Sequence, residues 1–271
     1  MTLVSTDWLS ENLEKVKIID ASWHLVKNRN AFEEYNKEHI ENAIFFDLDK
    51  NSNQKKDLPH GHFLPSLSEH EKTVSEMGIS NDDRIIIYCY SNLISSCRAW
   101  FQFLYFGHKP KLVSVLNGGM KKWKLEDRKV TNLKTKIIPS NYKATENKNM
   151  IKVKSQIDEN IKKRDFTVLD GRSKNRFLGL EPEPRPGIKS GSIEGSKSMP
   201  LSEIVNPQDN TFLNTKKLRD LFNSVEITDN KIVMSCGSSV TAASLSLAYS
   251  LINDDYIPKI YIGSWTEFGK K

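Results

Sequence analysis

The feature that most constrains the fold of this chain is a weak internal repeat. Four segments of the first half recur in the same order in the second half, at an offset of about 145 to 153 residues. The matching segments are residues 18–22 with 168–172, 37–43 with 190–196, 83–89 with 230–236, and 116–119 with 261–264. Because a repeat shows the architecture before any single motif does, we predict two copies of one domain.

The length of the chain agrees with a duplication. Its 271 residues correspond to about two domains at roughly 150 residues per domain. A polar stretch rich in lysine and asparagine, which contains Pro139, separates the halves and is typical of a linker. We therefore predict an N-terminal domain over residues 1–130, a linker over residues 131–149 and a C-terminal domain over residues 150–271.

Each half alternates short apolar runs, rich in β-branched residues, with longer stretches of helical periodicity. Continuous apolar runs are typical of parallel strands buried on both faces, and the helices between them supply the crossovers. We predict strands at residues 16–20, 85–88, 112–116, 168–170, 232–235 and 260–262, and helices at residues 67–77, 95–106, 151–164, 215–225 and 241–252. The predicted fold class is α/β, with a mainly parallel sheet flanked by helices in each domain.

Composition and charge argue against several classes of protein. No run of 18 apolar residues occurs, which excludes a spanning helix. The N-terminal segment lacks the apolar core of a secretory signal, so we expect a cytoplasmic location, with the mitochondrion as the alternative. The three cysteines, Cys89, Cys97 and Cys236, are too few for a disulfide framework. The net charge of +6 comes from scattered lysines rather than a basic stripe, so we expect no nucleic-acid partner.

The strongest chemical signal is Cys236, which directly follows the apolar run 232–235. The sequence Gly-Ser-Ser-Val-Thr comes next, and a helical pattern then begins. A thiol between the end of a strand and the start of a helix is surrounded by backbone N–H groups that form an anion-binding nest. These surroundings favour the thiolate and make Cys236 a candidate nucleophile. The alternative is a structural cysteine, because free cysteines are among the most buried residues.

Further motifs accompany this loop along the chain. They are residues 236–241 and 263–268, Asp170-Gly171-Arg172, Arg176-Phe177, Glu181-Pro182-Glu183-Pro184-Arg185, Ile193-Glu194-Gly195-Ser196, and in the first half Asp20-Ala21-Ser22-Trp23, residues 43–49 and Arg98-Ala99-Trp100. In this order they resemble the motifs of two-domain rhodanese-like sulfurtransferases, especially 3-mercaptopyruvate sulfurtransferases. The resemblance runs from about residue 18 to residue 268, so it implies two tandem rhodanese-like domains.

The resemblance also implies a reaction. Cys236 takes sulfur from 3-mercaptopyruvate as a persulfide, and pyruvate is released. The sulfur then passes to thioredoxin, a small thiol or cyanide. Arg176 and Arg185 bind the donor, which suits the bidentate pairing of guanidinium groups with carboxylates.

The resemblance assigns the proton transfer to Ser238, His62 and Asp49, since a histidine oriented by a carboxylate exchanges protons near neutral pH. The remaining donor-binding positions are the loop residues Gly237, Ser239, Val240 and Thr241. His60 and His62 lack further ligands at the spacing of a metal site. We therefore expect neither a metal nor a cofactor.

Four positions depart from the family pattern. Ser239 replaces a glycine, Ser192 a histidine and Ile262 an aspartate, and Cys89 stands where the first domain commonly has an aspartate. Cys89 aligns with Cys236 in the repeat, but the residues after it form no glycine-containing nest. Because a cysteine without stabilising donors stays a thiol, we expect Cys89 to be silent and only the C-terminal domain to be catalytic.

Three other functions compete with this one. Dual-specificity phosphatases close a similar loop with an arginine that binds phosphate, and no arginine lies between Cys236 and Leu251, which argues against them. Thiosulfate sulfurtransferases tend to carry basic loop residues for a dianionic donor, whereas Gly237, Ser238 and Ser239 are neutral, so mercaptopyruvate is favoured. A binding or regulatory protein on the same scaffold stays open, because a fold alone does not confer function.

Overall fold

The computed structural model describes residues 2–25, 28–53, 58, 61–92, 94–225, 227 and 231–271. The chain divides into two compact units. The first contains Met1–Asn51, Pro65–Asn147 and Pro207–Thr211, and the second contains Ser52–Leu64, Lys148–Asn206 and Phe212–Lys271. The second unit therefore includes a short segment from the first half of the chain, and this segment carries His62.

The first unit is built on a five-stranded sheet in which all neighbouring strands are parallel. Its strands are β1 (Leu3–Val4), β2 (Lys17–Asp20), β3 (Ala43–Phe45), β4 (Ile85–Tyr88) and β5 (Val113–Leu116), in the order β1-β5-β4-β2-β3. Its helices are α1 (Thr6–Ser10), α2 (Ala31–Lys37), α3 (Leu67–Glu76), α4 (Ser96–Tyr105) and α5 (Gly119–Leu125).

The second unit contains a five-stranded parallel sheet with the equivalent order. Its strands are β6 (Ile151–Lys152), β7 (Thr167–Asp170), β8 (Lys197–Ser198), β9 (Ile232–Ser235) and β10 (Ile260–Tyr261), in the order β6-β10-β9-β7-β8. Its helices are α6 (Lys154–Lys163), α7 (Lys174–Leu178), α8 (Leu201–Ile204), α9 (Thr215–Ser224), α10 (Val240–Ser250) and α11 (Ser264–Phe268). The two sheets confirm the duplicated α/β fold predicted from the repeat.

The central strands β4 and β9 show why the apolar runs form buried parallel strands. Every residue of both strands is buried, which is the pattern of a sheet covered on both faces. In the register of each sheet, Asp20 pairs with Tyr88 and Asp170 pairs with Ser235. The cysteines of the repeat directly follow these two pairs, so each lies at the carboxyl edge of its sheet, where ligands bind in α/β folds.

The predicted strands and helices are present. The structure adds short strands at the edges of the sheets and six helices of four to seven residues that we did not predict, α1, α2, α5, α7, α8 and α11. The expected helix at 151–164 begins only at Lys154, because Ile151–Lys152 forms β6 beside β10. The other strands that we did not predict are β1, β3 and β8. All four lie at sheet edges and have two or three residues.

The predicted linker packs on the first unit over much of its length. Thr131 forms an antiparallel bridge with His39, and the backbone N–H of Thr145 donates to the carbonyl of Phe106 at 3.0 Å. Tyr142 is 1% exposed, and its ring stacks on that of His108. This stretch, although its composition is polar, therefore makes specific contacts with the first unit. None of the helices in the described ranges is long and apolar enough to cross a membrane.

One buried acid distinguishes the first sheet from the second. Asp20, at the end of β2, is 2% exposed, and burial raises the pKa of its carboxyl group from 3.8 to about 6, although hydrogen bonds from Ser22 and Tyr88 oppose the shift. In the second unit the equivalent Asp170 is paired with Arg172 at 2.7 Å. Ser22 stands at the position of that arginine, so both units contain the acid but only the second pairs it with this arginine.

Asp20→Asn is expected to make the protein more stable at pH 8. Because the pKa of Asp20 is higher in the folded state than in the unfolded chain, its contribution to stability is present below about pH 3.8 and is lost as the pH rises through about 6. The full difference corresponds to at most roughly 3 kcal/mol. Urea unfolding at pH 4 and pH 8 measures it, and the advantage of the variant should shrink at pH 4.

Asp170→Asn is the matched control, because it removes the counter-charge of the buried Arg172. It should lower the free energy of unfolding at pH 8 by about 3 kcal/mol. An Asp20→Asn protein that is no more stable than the parent at pH 8 would show that the fold tolerates the ionised Asp20 without cost.

Candidate active site

The Cys236 loop is a short connection between a buried strand and a long helix. Residue 235 ends β9 and Val240 begins α10, so the loop contains only residues 236–239. Cys236 itself is 2% exposed. Burial of this degree is also typical of structural cysteines, so the groups around the loop decide what the thiol can do.

The carbonyl groups of the loop are bound by the segment that follows β10. The carbonyl oxygen of Cys236 accepts a hydrogen bond from the N–H of Trp265 at 2.9 Å. That of Gly237 accepts from the N–H of Thr266 at 2.9 Å and from its hydroxyl at 2.6 Å. These contacts hold the loop carbonyls on the side of α11.

Ser264 organises the loop through a single hydroxyl group. Its Oγ accepts hydrogen bonds from the N–H of Cys236 at 3.3 Å and of Ser239 at 3.1 Å, and it donates to the carbonyl of Tyr261 at 2.9 Å. Ser264 has a positive φ of 48°, as does its counterpart Gly119 in the first unit, at 54°. The sequence motif drew attention to this position, but its role in holding the loop was not predicted.

Four backbone N–H groups of the loop and the helix start are available to an anion. Those of Gly237, Ser238, Val240 and Thr241 have no acceptor in the part of the chain that the structure describes. They lie at the N-terminus of α10, where the helix dipole also favours negative charge. These donors lie where the sequence predicted an anion-binding nest, and Ser264 occupies two further donors, the N–H groups of Cys236 and Ser239. That the loop binds an anion stays a prediction.

Two arginines lie against the loop at Gly237. A Cβ atom at this glycine would lie 2.8 Å from Arg185 Nη1 and 3.3 Å from Arg176 Nη2, so both guanidinium groups lie close to the backbone there. Arg185 is 8% exposed. Burial and then repulsion from Arg176 lower the pKa of its guanidinium, while Cys236 acts in the opposite direction. The structure thus brings together the two arginines that the resemblance assigned to donor binding.

A buried carboxylate organises the arginines from behind. Glu183 accepts hydrogen bonds from Arg172 Nη1 at 2.7 Å and from Arg176 Nη2 at 2.6 Å, and its side chain is 1% exposed. Burial acts to raise the pKa of Glu183, but Arg176 and Arg172 outweigh it and the net effect lowers that pKa. Arg172 is also paired with Asp170 and lies over the ring of Trp265 at 4.6 Å. In the sequence, Glu183 stood out only as part of the motif 181–185, and its contacts with two arginines were not predicted.

Ser238 connects the loop with one of the arginines and with a histidine. Arg185 Nη2 donates to Ser238 Oγ at 2.9 Å, and His62 Nδ1 lies 3.0 Å from the same oxygen. All three side chains belong to the second unit, because His62 lies in Ser52–Leu64. Asp49, the third predicted member of the relay, belongs to the first unit, where its Oδ1 accepts a hydrogen bond from Trp23 Nε1 at 3.0 Å.

Two departures from the family pattern contact the segment that carries His62. Ser239 has a positive φ of 64°, and its hydroxyl donates to the carbonyl of His62 at 3.2 Å. Ile262 is buried in an apolar cluster with Leu58 and Phe63. Both substitutions therefore hold this segment on the second unit.

Cys89, the counterpart of Cys236, lies in different surroundings. The stretch between β4 and α4 spans residues 89–95, of which residue 93 lies outside the described residues, so it is longer than the Cys236 loop. Cys89 Sγ lies 3.4 Å from Ser96 Oγ. Its carbonyl still accepts from the N–H of Met120, as that of Cys236 does from Trp265. The first unit thus keeps the backbone contact, while the inactivity of Cys89 remains a prediction.

No metal-binding cluster is found among the described side chains, where no group of three or more His, Cys, Asp or Glu residues is arranged to hold an ion. His60, the other histidine of the pair considered for metal binding, lies outside the described residues.

Comparison with known proteins identifies the family. Residues 5–126 match the model of the rhodanese-like domain. Thiosulfate/3-mercaptopyruvate sulfurtransferase 1, mitochondrial, of Arabidopsis thaliana is 34% identical over an alignment of 291 positions, which includes 98% of this chain and 75% of that protein. Human 3-mercaptopyruvate sulfurtransferase is 34% identical over 276 residues, which cover 98% of this chain and 91% of that protein.

A solved structure gives the same result. The crystal structure of SseA from Escherichia coli, a 3-mercaptopyruvate sulfotransferase by its description, matches with a TM-score of 0.86 at 28% identity and covers 98% of this chain and 99% of its own. The duplicated fold and the cysteine loop thus define a two-domain rhodanese-like protein. The chain belongs to the family of thiosulfate and 3-mercaptopyruvate sulfurtransferases, and the resemblance seen in the sequence motifs is confirmed.

Ser239 provides a test of the local geometry. Ser239→Ala removes the hydrogen bond to His62 and keeps a Cβ atom in the left-handed region, so it should destabilise the protein by about 1 kcal/mol. Ser239→Gly removes the same bond but also the conformational cost of about 1 kcal/mol, so its stability should stay near that of the parent. Urea unfolding of the three proteins measures the difference, and equal stability of the alanine and glycine variants would contradict a strained residue 239.

Proposed function

We propose that this sulfurtransferase takes sulfur from 3-mercaptopyruvate and carries it as a persulfide on Cys236. The observation that supports this donor is the position of Ser238, whose Oγ accepts from Arg185 at 2.9 Å and lies 3.0 Å from His62 Nδ1. A hydroxyl group that contacts a guanidinium and an imidazole is placed to transfer a proton. Mercaptopyruvate needs such a proton and thiosulfate does not.

The difference follows from the leaving groups. The Cys236 thiolate attacks the sulfur of mercaptopyruvate, an S–S bond forms, and the C–S bond breaks with its electron pair on carbon. The product is the enolate of pyruvate, which must take up a proton to become pyruvate. With thiosulfate the same attack releases sulfite, which leaves as a stable anion. We assign the proton transfer to Ser238 and His62, with Asp49 as the proposed third member.

The charges around the loop support the binding of this donor. Arg176 and Arg185 present guanidinium groups beside Gly237, and such groups pair bidentately with a carboxylate. The unoccupied N–H groups of the nest would stabilise the thiolate and then the persulfide, because oriented backbone dipoles hold a negative charge without a bound cation. The loop residues Gly237, Ser239, Val240 and Thr241 supply this backbone.

The second half of the reaction passes the sulfur to a nucleophile. We propose a thiol acceptor, either thioredoxin or a small thiol, with cyanide as a further acceptor, since the outer sulfur of a persulfide is electrophilic when protonated. The attacking Cys236 must be reduced, and all three cysteines are free thiols in the structure. A reducing compartment fits this requirement, so we propose the cytoplasm, and the mitochondrial Arabidopsis relative makes the mitochondrion the other candidate.

Ser238→Ala is expected to separate the two donors. Loss of the proton donor should lower kcat with mercaptopyruvate by about a hundredfold or more, the range of general acid catalysis. Turnover of thiosulfate should fall much less, because sulfite leaves without a proton. Pyruvate and sulfite release, measured for both proteins with the same thiol acceptor, give the two rates.

Cys236→Ser is the control and should abolish both reactions. Intact mass of the parent protein after treatment with mercaptopyruvate should show one added sulfur atom, which the variant lacks. Pyruvate release that does not depend on Cys236, or a wild-type preference for thiosulfate, would overturn the proposed donor.

A further inference from the structure

Buried ion pairs determine the net charge around the Cys236 loop. Three arginines, Arg172, Arg176 and Arg185, face two carboxylates, Asp170 and Glu183. Arg172 contacts both carboxylates, and Arg176 contacts Glu183. Arg185 forms no ion pair with a carboxylate among the described residues, although the charge of Glu183 acts on it, and its hydrogen bond goes to the neutral hydroxyl of Ser238. The five side chains together thus carry a single net positive charge.

The thiolate of Cys236, when it forms, cancels this net positive charge. Arg185 lies beside the loop, and its pKa responds to the charge on Cys236. When Cys236 is ionised, the six groups sum to zero, so a bound donor adds its full charge to a neutral site. A monocarboxylate such as mercaptopyruvate brings the site to one negative charge, and a dianion such as thiosulfate brings it to two. The second charge is costly because the surrounding groups are buried.

We propose that Glu183 determines the charge class of the donor: by neutralising one arginine it makes the site favour monoanions over dianions. Glu183 contacts two arginines with its two oxygens and, being almost completely buried, is poorly screened by solvent. The residue acts through the arginines, so it is a positioning and specificity residue rather than a catalytic one. The proposal rests on the role of the Cys236 loop in the proposed function, but not on which donor the wild-type protein prefers.

Glu183→Gln tests the proposal, because it removes the charge and retains the shape. The ratio of kcat/KM for thiosulfate to that for mercaptopyruvate should rise by about tenfold, which corresponds to ~1.4 kcal/mol. Oxamate and oxalate give an independent measurement, since they have nearly the same size and differ by one charge. The inhibition constant of oxalate relative to that of oxamate should fall by a similar factor.

Two controls separate charge from structure. Glu183→Asp disturbs the same contacts but keeps the charge, so its donor ratio should stay close to that of the parent. Glu159→Gln removes an exposed carboxylate that pairs with Lys163, and it should leave the ratio unchanged. An unaltered ratio in Glu183→Gln, or an equal change in Glu183→Asp, would overturn the proposal.

The wild-type protein keeps the proposal testable if Glu183→Gln does not fold. The wild-type protein should bind oxamate more tightly than oxalate. Tighter binding of oxalate would overturn the proposal that the site favours monoanions. A wild-type preference for thiosulfate would reject the proposed donor, whereas the effect of Glu183 on the ratio would still be measured. The two failures are therefore distinguishable.

Discussion

The site depends on the fixed direction of two peptide groups. In a trans peptide the C=O and the following N–H point in opposite directions. Holding the carbonyl of Cys236 by Trp265, and that of Gly237 by Thr266, therefore turns the N–H groups of Gly237 and Ser238 to the other side. These are two of the four donors that remain available to an anion. The segment after β10 thus orients these donors through backbone contacts, and the first unit repeats the first of these contacts at Cys89.

The sequence predicted the central part of each sheet because burial on both faces leaves a continuous apolar run, as in β4 and β9. The edge strands, of two or three residues each, were not predicted, whereas the equally short but central β10 was. The local motif likewise predicted the nest at Cys236, since strand, loop and helix start are adjacent in sequence. The role of Ser264 could not be predicted, because a serine with a positive φ whose hydroxyl accepts from the loop has no distinctive local pattern.

The two halves show how one scaffold supports two outcomes. Asp20 and Asp170 occupy the same place at the end of equivalent strands. Asp170 is paired with Arg172, which in turn reaches Glu183 and Trp265, whereas Asp20 is hydrogen-bonded to Ser22. Removing one partner of a buried pair is costly unless the remaining charge is neutralised. Burial raises the pKa of Asp20 to about 6, so its carboxyl group is neutral below that pH and carries a charge without an arginine partner above it. In the described residues, an arginine therefore pairs with this acid at the strand end beside Cys236, and a serine stands at the equivalent position beside Cys89.

Departures from a family pattern need to be judged by their contacts rather than by their number. A glycine at position 239 would adopt the left-handed conformation without strain, but it has no side chain that could hydrogen-bond to His62. Ser239 is strained in this conformation, and its hydroxyl donates a hydrogen bond to the carbonyl of His62. Ile262 replaces a carboxylate, and its apolar contacts with Leu58 and Phe63 lie in the same segment as His62. Neither residue alone would suggest a role, but both hold the segment from which His62 reaches Ser238. The contacts therefore explain the two substitutions as a different way of positioning His62, rather than as a loss of the site.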